Sequence, residues 1–173
     1  MAIQRIRQGV RALLAFTQTV DYSLAEHYLS DSEMLLFTQM GRSEQLHSLN
    51  VLRSVLVQKA DTPHALAVAA LLHDVGKSRC KMAVWQKTIS VLVEKFLPQL
   101  NDRLSQDDTV TFWNAPFVVR RWHPKWSAEH LAAAESSETV IWLARHHADS
   151  ANQWQDHPYY LLLLRLQQAD DEN

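Results

Sequence analysis

The stretch Leu71-Leu72-His73-Asp74-Val75-Gly76-Lys77 decides how this sequence folds, because it places a histidine and an aspartate side by side after an apolar run. Residues 63–72, which precede the pair, are apolar on nearly every face and therefore predict a helix in the middle of the fold. A carboxylate delivered there requires a counter-charge, a hydrogen-bond network or a bound metal ion. The adjacent imidazole favours the metal ion.

Local signals outline the helices around this stretch. Gly76 is expected to end the helix sharply, and Lys77 then leaves a positive charge beside the site. Ser43 is the expected N-cap of a preceding helix that carries His47 one turn in. Further helices are expected at residues 128–135 and 138–148 and in a C-terminal segment that reaches Asp170.

Composition predicts one folded all-α domain. The chain has 173 residues, of which 47% are hydrophobic and 21% charged, with only 3 glycines and 5 prolines for tight turns. We therefore expect a single-domain helical bundle, in which residues 1–40 form a helical lead-in packed on a domain at 41–173. Residues 80–115 are expected to form a helical insert, which is either an amphipathic cover on the core or a lid over the site.

Charge and cysteine content exclude several classes of protein. The formal net charge is −2 and no basic face is evident, so composition gives no electrostatic argument for nucleic-acid binding. The single cysteine, Cys80, excludes an internal disulfide and fits a reducing compartment, which predicts a cytoplasmic protein. No stretch reaches the roughly 18 to 20 apolar residues of a membrane span. Residues 2–16 predict an amphipathic helix that packs on the body or on a second subunit, which would give a homo-oligomer.

The order of the other histidines and aspartates indicates a function for the His73-Asp74 pair. In chain order the candidates are His47, the doublet His73-Asp74, His123, the pair His146-His147, and Asp170. This order resembles the HD-domain superfamily of metal-dependent phosphohydrolases, whose pattern is a first His, a His-Asp doublet and a distant closing Asp. The Gly-Lys that follows the doublet is similar to the HDIG type, and the three later histidines are similar to those of its two-metal members.

The resemblance implies two metal ions that share one carboxylate. The first ion would be held by His47, His73, Asp74 and Asp170. The second ion would take the other oxygen of Asp74 together with His123, His146 and His147. Mixed imidazole and carboxylate ligands suit Fe, Mn, Co, Ni or Zn.

The activity that the resemblance implies is hydrolysis of a phosphoester or phosphoanhydride by a metal-bound hydroxide, with a nucleotide as the expected small-molecule substrate. Asp74 would act as the shared catalytic carboxylate, and Lys77 would stabilise developing charge or aid proton transfer. Further candidates for binding the phosphate are Arg120, Arg121 and Arg145. Two alternatives stay open: a non-catalytic HD domain that senses a nucleotide or a protein partner, and an oxygen-using di-iron enzyme on the same scaffold.

Residues 113–126 mix aromatic and basic side chains, and two interpretations of them are compatible. Such a mix can stack on bases and bind phosphates. Alternatively, Trp113, Trp122 and Trp126 brace the segment that carries His123. His64, at the opposite end of the doublet helix, is not expected to be a ligand.

Overall fold

The computed structural model describes residues 18–80 and 95–173, together with Gln86, Ile89, Leu92 and Val93 between them. These residues form eight α-helices, two 3₁₀ helices and no strand, which confirms the all-α prediction. The α-helices are α1 (Tyr22–Glu26), α2 (Asp31–Gln39), α3 (Arg42–Gln58), α4 (His64–Leu72), α5 (Pro98–Leu104), α6 (Ala115–Ala133), α7 (Glu138–His146) and α8 (Tyr160–Asp171). The 3₁₀ helices are Val75–Arg79 and Ala151–Trp154. The helix predicted at 2–16 lies outside the described residues, and so does part of the insert between residues 81 and 94.

Helix α4 lies at the centre of the fold, as its apolar sequence predicts. Every residue from Leu66 to Leu72 is at most 1% exposed. Helices α2, α3, α7 and α8 pack around it. Burial of apolar surface on all sides therefore holds α4 in place and carries the doublet at its end into the interior.

The helix that carries the doublet ends earlier than Gly76 predicts. Its last residue is Leu72, His73 is its C-cap, and Asp74 is the N-cap of the following 3₁₀ helix. The predicted N-cap Ser43 is instead the second residue of α3, because the glycine two residues earlier takes the cap position. The doublet therefore lies at the junction of two helices, where the backbone leaves the α-helical path.

Helix α6 begins in a region to which the sequence assigned no helix and continues through most of the helix predicted at residues 128–135. It contains Pro124 in its interior, which costs a helix about 3 kcal/mol. The helix packs along both the first 3₁₀ helix and α7. Its Trp126 is fully buried and packs with Val118 and Val119. Tertiary packing therefore outweighs the local cost of the proline.

The described end of the insert lies against the face of α6 that is opposite to His123. Trp122 Nε1 donates to the carbonyl of Ser105 at 3.0 Å, and Lys125 Nζ pairs with Asp108 at 3.0 Å. Lys125 lies two residues from His123, which is about 200° around the helix. These contacts brace α6 from outside, and the role of the insert as a lid stays a prediction.

The bracing role expected of the tryptophans holds for two of the three. Trp126 and Trp122 fix α6 from within the core and from the insert, whereas Trp113 is 81% exposed.

Residues before α3 share the main core, since Leu36 and Phe37 of α2 belong to the same buried cluster as α4. No helix in the described part of the chain is both long and apolar enough to cross a membrane.

Candidate metal centre

Six of the seven predicted metal ligands meet at the inner end of α4. They come from five parts of the chain: His47 from α3, His73 and Asp74 from the junction after α4, His123 from α6, His147 from the end of α7, and Asp170 from α8. Residues of separate helices therefore converge on one buried carboxylate, Asp74, which is 3% exposed.

The first group of ligand atoms comes from His47, His73 and Asp74, and these atoms all lie within 4.8 Å of one another. Asp170 joins them, because its Oδ1 is 2.8 Å from His47 Nε2 and 3.5 Å from His73 Nε2. His73 Nε2 is also 3.7 Å from Asp74 Oδ2. The four residues that the resemblance assigned to the first ion are thus neighbours.

The second group consists of Asp74, His123 and His147, again with ligand atoms within 4.8 Å of one another. Asp74 Oδ1 is 3.3 Å from His123 Nε2 and 3.5 Å from His147 Nε2. The two Nε2 atoms are 3.2 Å apart. Asp74 therefore presents one carboxylate oxygen to each group.

Backbone carbonyls fix the orientation of three histidine rings. Each Nδ1 lies within hydrogen-bond distance of the carbonyl three residues earlier: 3.1 Å for His73, 2.9 Å for His123 and 2.8 Å for His147. Because a carbonyl oxygen only accepts hydrogen bonds, each Nδ1 carries a hydrogen. In the neutral ring, Nε2 then presents its lone pair to the centre, which is the arrangement that metal coordination requires.

The buried polar atoms of the centre fit bound cations. His73 Nε2 and Asp74 Oδ1 are buried without a hydrogen-bond partner. When His123 and His147 are neutral, their Nε2 lone pairs face each other and Asp74 Oδ1, which is repulsive unless a positive charge lies among them. Unsatisfied buried polar groups are uncommon, and a divalent ion that takes imidazole and carboxylate ligands would satisfy these.

Both carboxylates of the centre are ionised at neutral pH. Burial opposes ionisation of Asp74, but the charges of Lys77 and His73 hold its pKa well below the usual value. Burial also opposes ionisation of Asp170, whose pKa is nevertheless lowered by the hydrogen bond from His47 and by the nearby imidazole of His73, whose Nε2 is 3.5 Å away. The centre therefore supplies two negative ligands without any change in protonation.

Histidine protonation differs between the two groups. Burial lowers the pKa of His123 to about 4, which keeps the ring neutral and able to bind metal. Burial acts in the same direction on His73, but the nearby carboxylates of Asp74 and Asp170 outweigh it and raise the His73 pKa. A metal ion in the first group therefore competes with a proton for His73 more strongly than an ion in the second group does for His123.

Lys77 supplies a counter-charge to Asp74. Its Nζ lies 2.5 Å from Asp74 Oδ2, and 33% of its side chain is exposed. Burial lowers the pKa of Lys77, but the charge of Asp74 and the hydrogen bond to it outweigh that effect and raise the pKa above its usual value. Lys77 is therefore a charged group that reaches from the solvent side to the shared carboxylate.

His146 has partners outside the two ligand groups. Its Nδ1 is 2.7 Å from Asp149 Oδ2, which also accepts a hydrogen bond from Trp154 Nε1 at 3.2 Å. Its ring packs against Trp142 and Trp154, with centroids 4.7 Å and 4.2 Å away. Successive residues of a helix project about 100° apart, so His146 and His147 point to different surroundings.

The arginines suggested for phosphate binding lie on the outer surfaces of α6 and α7. Arg121 Nη1 is 3.5 Å from Asp102 Oδ1 and 3.4 Å from Ser105 Oγ, so it contacts the insert. Arg120 and Arg145 are exposed. Lys77 is the cation that the structure brings to Asp74.

The sequence reasoning missed residues that hold the ligands in place. The N–H of Gly76 donates to Ser127 Oγ at 2.8 Å, and a Cβ at Gly76 would collide with the carbonyl of His123 and with Ser127. Gly76 therefore serves a close approach between the 3₁₀ helix and α6, rather than the helix end expected of it. Asp149 could have been found from the sequence, because it stands three residues after His146 on a helical spacing.

A family model described as HD domain matches residues 45–172. No curated protein and no solved structure matches the chain. HD domains are generally metal-dependent phosphohydrolases. Because the matched range covers most of the chain and extends past both His47 and Asp170, the protein belongs to the HD domain family.

Proposed function

We propose that this protein is a metal-dependent phosphohydrolase or phosphodiesterase that acts on a nucleotide or a related small phosphoester. The observation that carries the proposal is the shared carboxylate, since Asp74 offers one oxygen to each of two groups of imidazole and carboxylate ligands. Two such groups suit two divalent transition-metal ions, of Fe, Mn, Co, Ni or Zn. Membership of the HD domain family supports the same reaction class.

Two divalent ions bound here would acidify a water molecule and polarise a phosphoryl group, which is the chemistry that phosphoester hydrolysis needs. The protein's own residues orient the components. His73, His123 and His147 hold Nε2 toward the centre, because each Nδ1 is bound to a backbone carbonyl. The burial of Asp74 excludes bulk water from the shared carboxylate.

Lys77 is the residue best placed to meet the substrate. Its ammonium lies beside Asp74 and its side chain is partly open to solvent, so a phosphoryl oxygen that approaches the centre would meet this charge. A cation fixed at that place stabilises the negative charge that develops during phosphoryl transfer. We therefore assign Lys77 to binding and charge stabilisation.

His146 stays a predicted ligand of the second ion. Asp149 holds its Nδ1, which leaves Nε2 as the atom available for coordination. This carboxylate–histidine pairing is the usual environment of a metal-binding imidazole.

Metal analysis combined with a substrate screen tests the proposal on the full-length protein purified without chelator. We expect close to two transition-metal ions per chain, and hydrolysis of at least one member of a panel. The panel contains nucleoside mono- and triphosphates, cyclic nucleotides, cyclic dinucleotides and dinucleoside polyphosphates. Asp74→Asn, which keeps the shape of the side chain, should abolish metal binding and hydrolysis, whereas Asp108→Asn on the outer surface should change neither.

Two other outcomes would overturn the proposal. Tight binding of a nucleotide without turnover by the metal-loaded protein would indicate the sensor alternative. Oxygen consumption by the iron-loaded protein, without phosphoester hydrolysis, would indicate the di-iron oxygenase.

A further inference from the structure

The carbonyl groups at the C-terminal end of α7 accept hydrogen bonds from two sources. The last carbonyls of a helix have no donor within it, so they need partners from elsewhere. The carbonyl of His146 accepts from the N–H of Asp149 at 3.0 Å, which is a local bond. The carbonyl of His147 accepts from Nε2 of Gln167 at 2.8 Å, and Gln167 belongs to α8. This second bond ties the end of α7 to another helix.

A single amide nitrogen holds two carbonyls of this segment. Gln167 Nε2 also donates to the carbonyl of Asp149 at 2.8 Å, so both of its hydrogens are used. Because a carbonyl oxygen only accepts hydrogen bonds, it is the nitrogen of the amide, and not its oxygen, that faces the segment. The two bonds therefore fix the backbone immediately after α7.

The segment that Gln167 binds carries side chains of the second ligand group. His147 Nε2 is 3.5 Å from Asp74 Oδ1. Asp149 Oδ2 lies 2.7 Å from Nδ1 of His146, which is the remaining predicted ligand of the second ion. A shift of this segment would therefore move both histidines relative to the shared carboxylate.

Helix α8 also carries a predicted ligand of the first ion, Asp170, one turn after Gln167. Residues three apart on a helix are neighbours on its surface, so the two side chains leave α8 on the same side. Helix α8 packs chiefly against α3, and Asp170 Oδ1 is 2.8 Å from Nε2 of His47 on α3. The packing of α3 on α8 thus supports the first group, and Gln167 extends that support to the end of α7.

We infer that Gln167 is a positioning residue for the second ligand group: by holding the carbonyls of His147 and Asp149, it sets the place of the His147 ring beside Asp74. Its role in metal binding rests on the proposed function. The place of the His147 ring is a property of the protein with or without metal, so it can be measured separately.

Removal of both donors tests the inference. Gln167→Met keeps an unbranched side chain of similar length but has no N–H. In the metal-free full-length protein, nuclear Overhauser effects should join the ring of His147 to those of His73 and His123, whose centroids lie 4.9 Å and 5.1 Å away. These two contacts should be lost in Gln167→Met. The contact between the rings of His47 and His73, with centroids 5.8 Å apart, should persist, because the packing of α3 on α8 supports it.

A Zn²⁺ titration against a competing chelator, followed through the same histidine signals, gives the affinity of each group. In Gln167→Met the affinity of the second group should fall by roughly 10-fold, the lower end of the range typical when a partner behind a metal ligand is lost. The affinity of the first group should stay unchanged. A general loss of stability would not separate the two groups in this way.

Two further variants serve as control and as independent test. Gln168→Met is the matched control, because Gln168 is the next residue of α8 but is exposed, and its Nε2 donates to Glu172 at 3.1 Å. It should change neither the ring contacts nor the two affinities. Gln167→Glu has nearly the shape of the parent side chain, but its carboxylate has no hydrogen to donate. It should lose the same ring contacts as Gln167→Met.

The inference is wrong if Gln167→Met keeps the parent's contacts of the His147 ring, or if the affinities of both groups fall by the same factor. If Gln167→Met does not fold, Gln167→Glu decides, and retained ring contacts there also overturn the inference. If the parent hydrolyses nothing in the panel while the ring contacts depend on Gln167, the proposed function fails and the positioning role stands.

Discussion

Replacement of Lys77 by methionine should move stability and metal affinity in opposite directions. The substitution removes the ammonium that lies 2.5 Å from Asp74 Oδ2 but keeps an unbranched apolar side chain. Loss of one partner from a buried ion pair costs about 3 to 5 kcal/mol, because the other charge is left uncompensated. The Asp74 side chain is 4% exposed but Lys77 is 33% exposed, so we take the lower limit of about 3 kcal/mol for the metal-free protein.

A loss of about 3 kcal/mol of stability should give measurable shifts in melting temperature and metal affinity. In a chain of this size each kcal/mol lowers the melting temperature by roughly 2 to 4 °C, so Lys77→Met should melt roughly 6 to 12 °C below the parent in EDTA. A bound divalent ion replaces the missing charge at Asp74, and the difference should close at saturating metal. By linkage, metal affinity should rise by up to about 10²-fold, since 1.4 kcal/mol corresponds to a factor of ten. We expect kcat to fall by about 10²-fold, because Lys77 no longer meets the phosphoryl group.

Thermal unfolding in EDTA and in saturating Mn²⁺, calorimetric Mn²⁺ titration and turnover measure these three effects. Lys125→Met is a matched control, because Lys125 pairs with Asp108 on the surface, with side chains 38% and 41% exposed, and such a pair contributes at most about 1 kcal/mol. A melting difference that is the same with and without Mn²⁺ would refute the idea that Lys77 and the metal compensate the same carboxylate. Turnover within about threefold of the parent would exclude a catalytic role for Lys77.

Three further results are expected. Asp74→Ala should remove both ions and all hydrolysis, because one carboxylate serves both groups, whereas His64→Ala at the exposed start of α4 should change neither. Elemental analysis and turnover assays measure both variants. Equal effects of the two substitutions would mean that α4 matters only as part of the core. Reconstitution with Mn²⁺ or Fe²⁺ should reach close to two ions per chain, and a plateau at one would leave the second group with a structural or substrate-binding role. Raising the pH from about 6 to 8 should strengthen binding of the first ion more than the second. The reason is that the raised pKa of His73 lets it keep a proton to higher pH, whereas His123, with a pKa of about 4, is already neutral. Mn²⁺ titrations at several pH values measure the affinity of each group. An equal pH dependence of the two affinities would contradict this expectation.

The position of the doublet could be predicted from the sequence, because α4 is apolar on every face and only its end carries polar groups. A helix of that kind has to be central, so the burial of His73 and Asp74 followed from hydrophobicity alone. The order of the remaining histidines and aspartates then indicated which distant residues would join them. The structure brings His47, His123 and Asp170 to the doublet, and their role as metal ligands stays a prediction.

The directions of individual side chains could not be predicted. His146 and His147 are adjacent and chemically identical, and the sequence gives no reason why one should face Asp74 and the other Asp149. That choice depends on how α7 is rotated against α4, which is set by the packing of the whole core. The interior proline of α6 was unpredictable for a related reason, because burial of Trp126 and its neighbours overrides a local penalty.

The close approach of Gly76 to α6 limits how chains with this site can diverge. A methyl group at position 76 would meet the backbone carbonyl of His123 and the backbone nitrogen of Ser127, and no side-chain substitution in α6 can remove those atoms. Room for a larger residue would require the 3₁₀ helix to move outward, and Asp74 would move with it, away from His123. In an alignment of relatives that keep one carboxylate between two ions, position 76 is therefore expected to be invariant even where the substrates differ, and a change there should coincide with loss of the second ion.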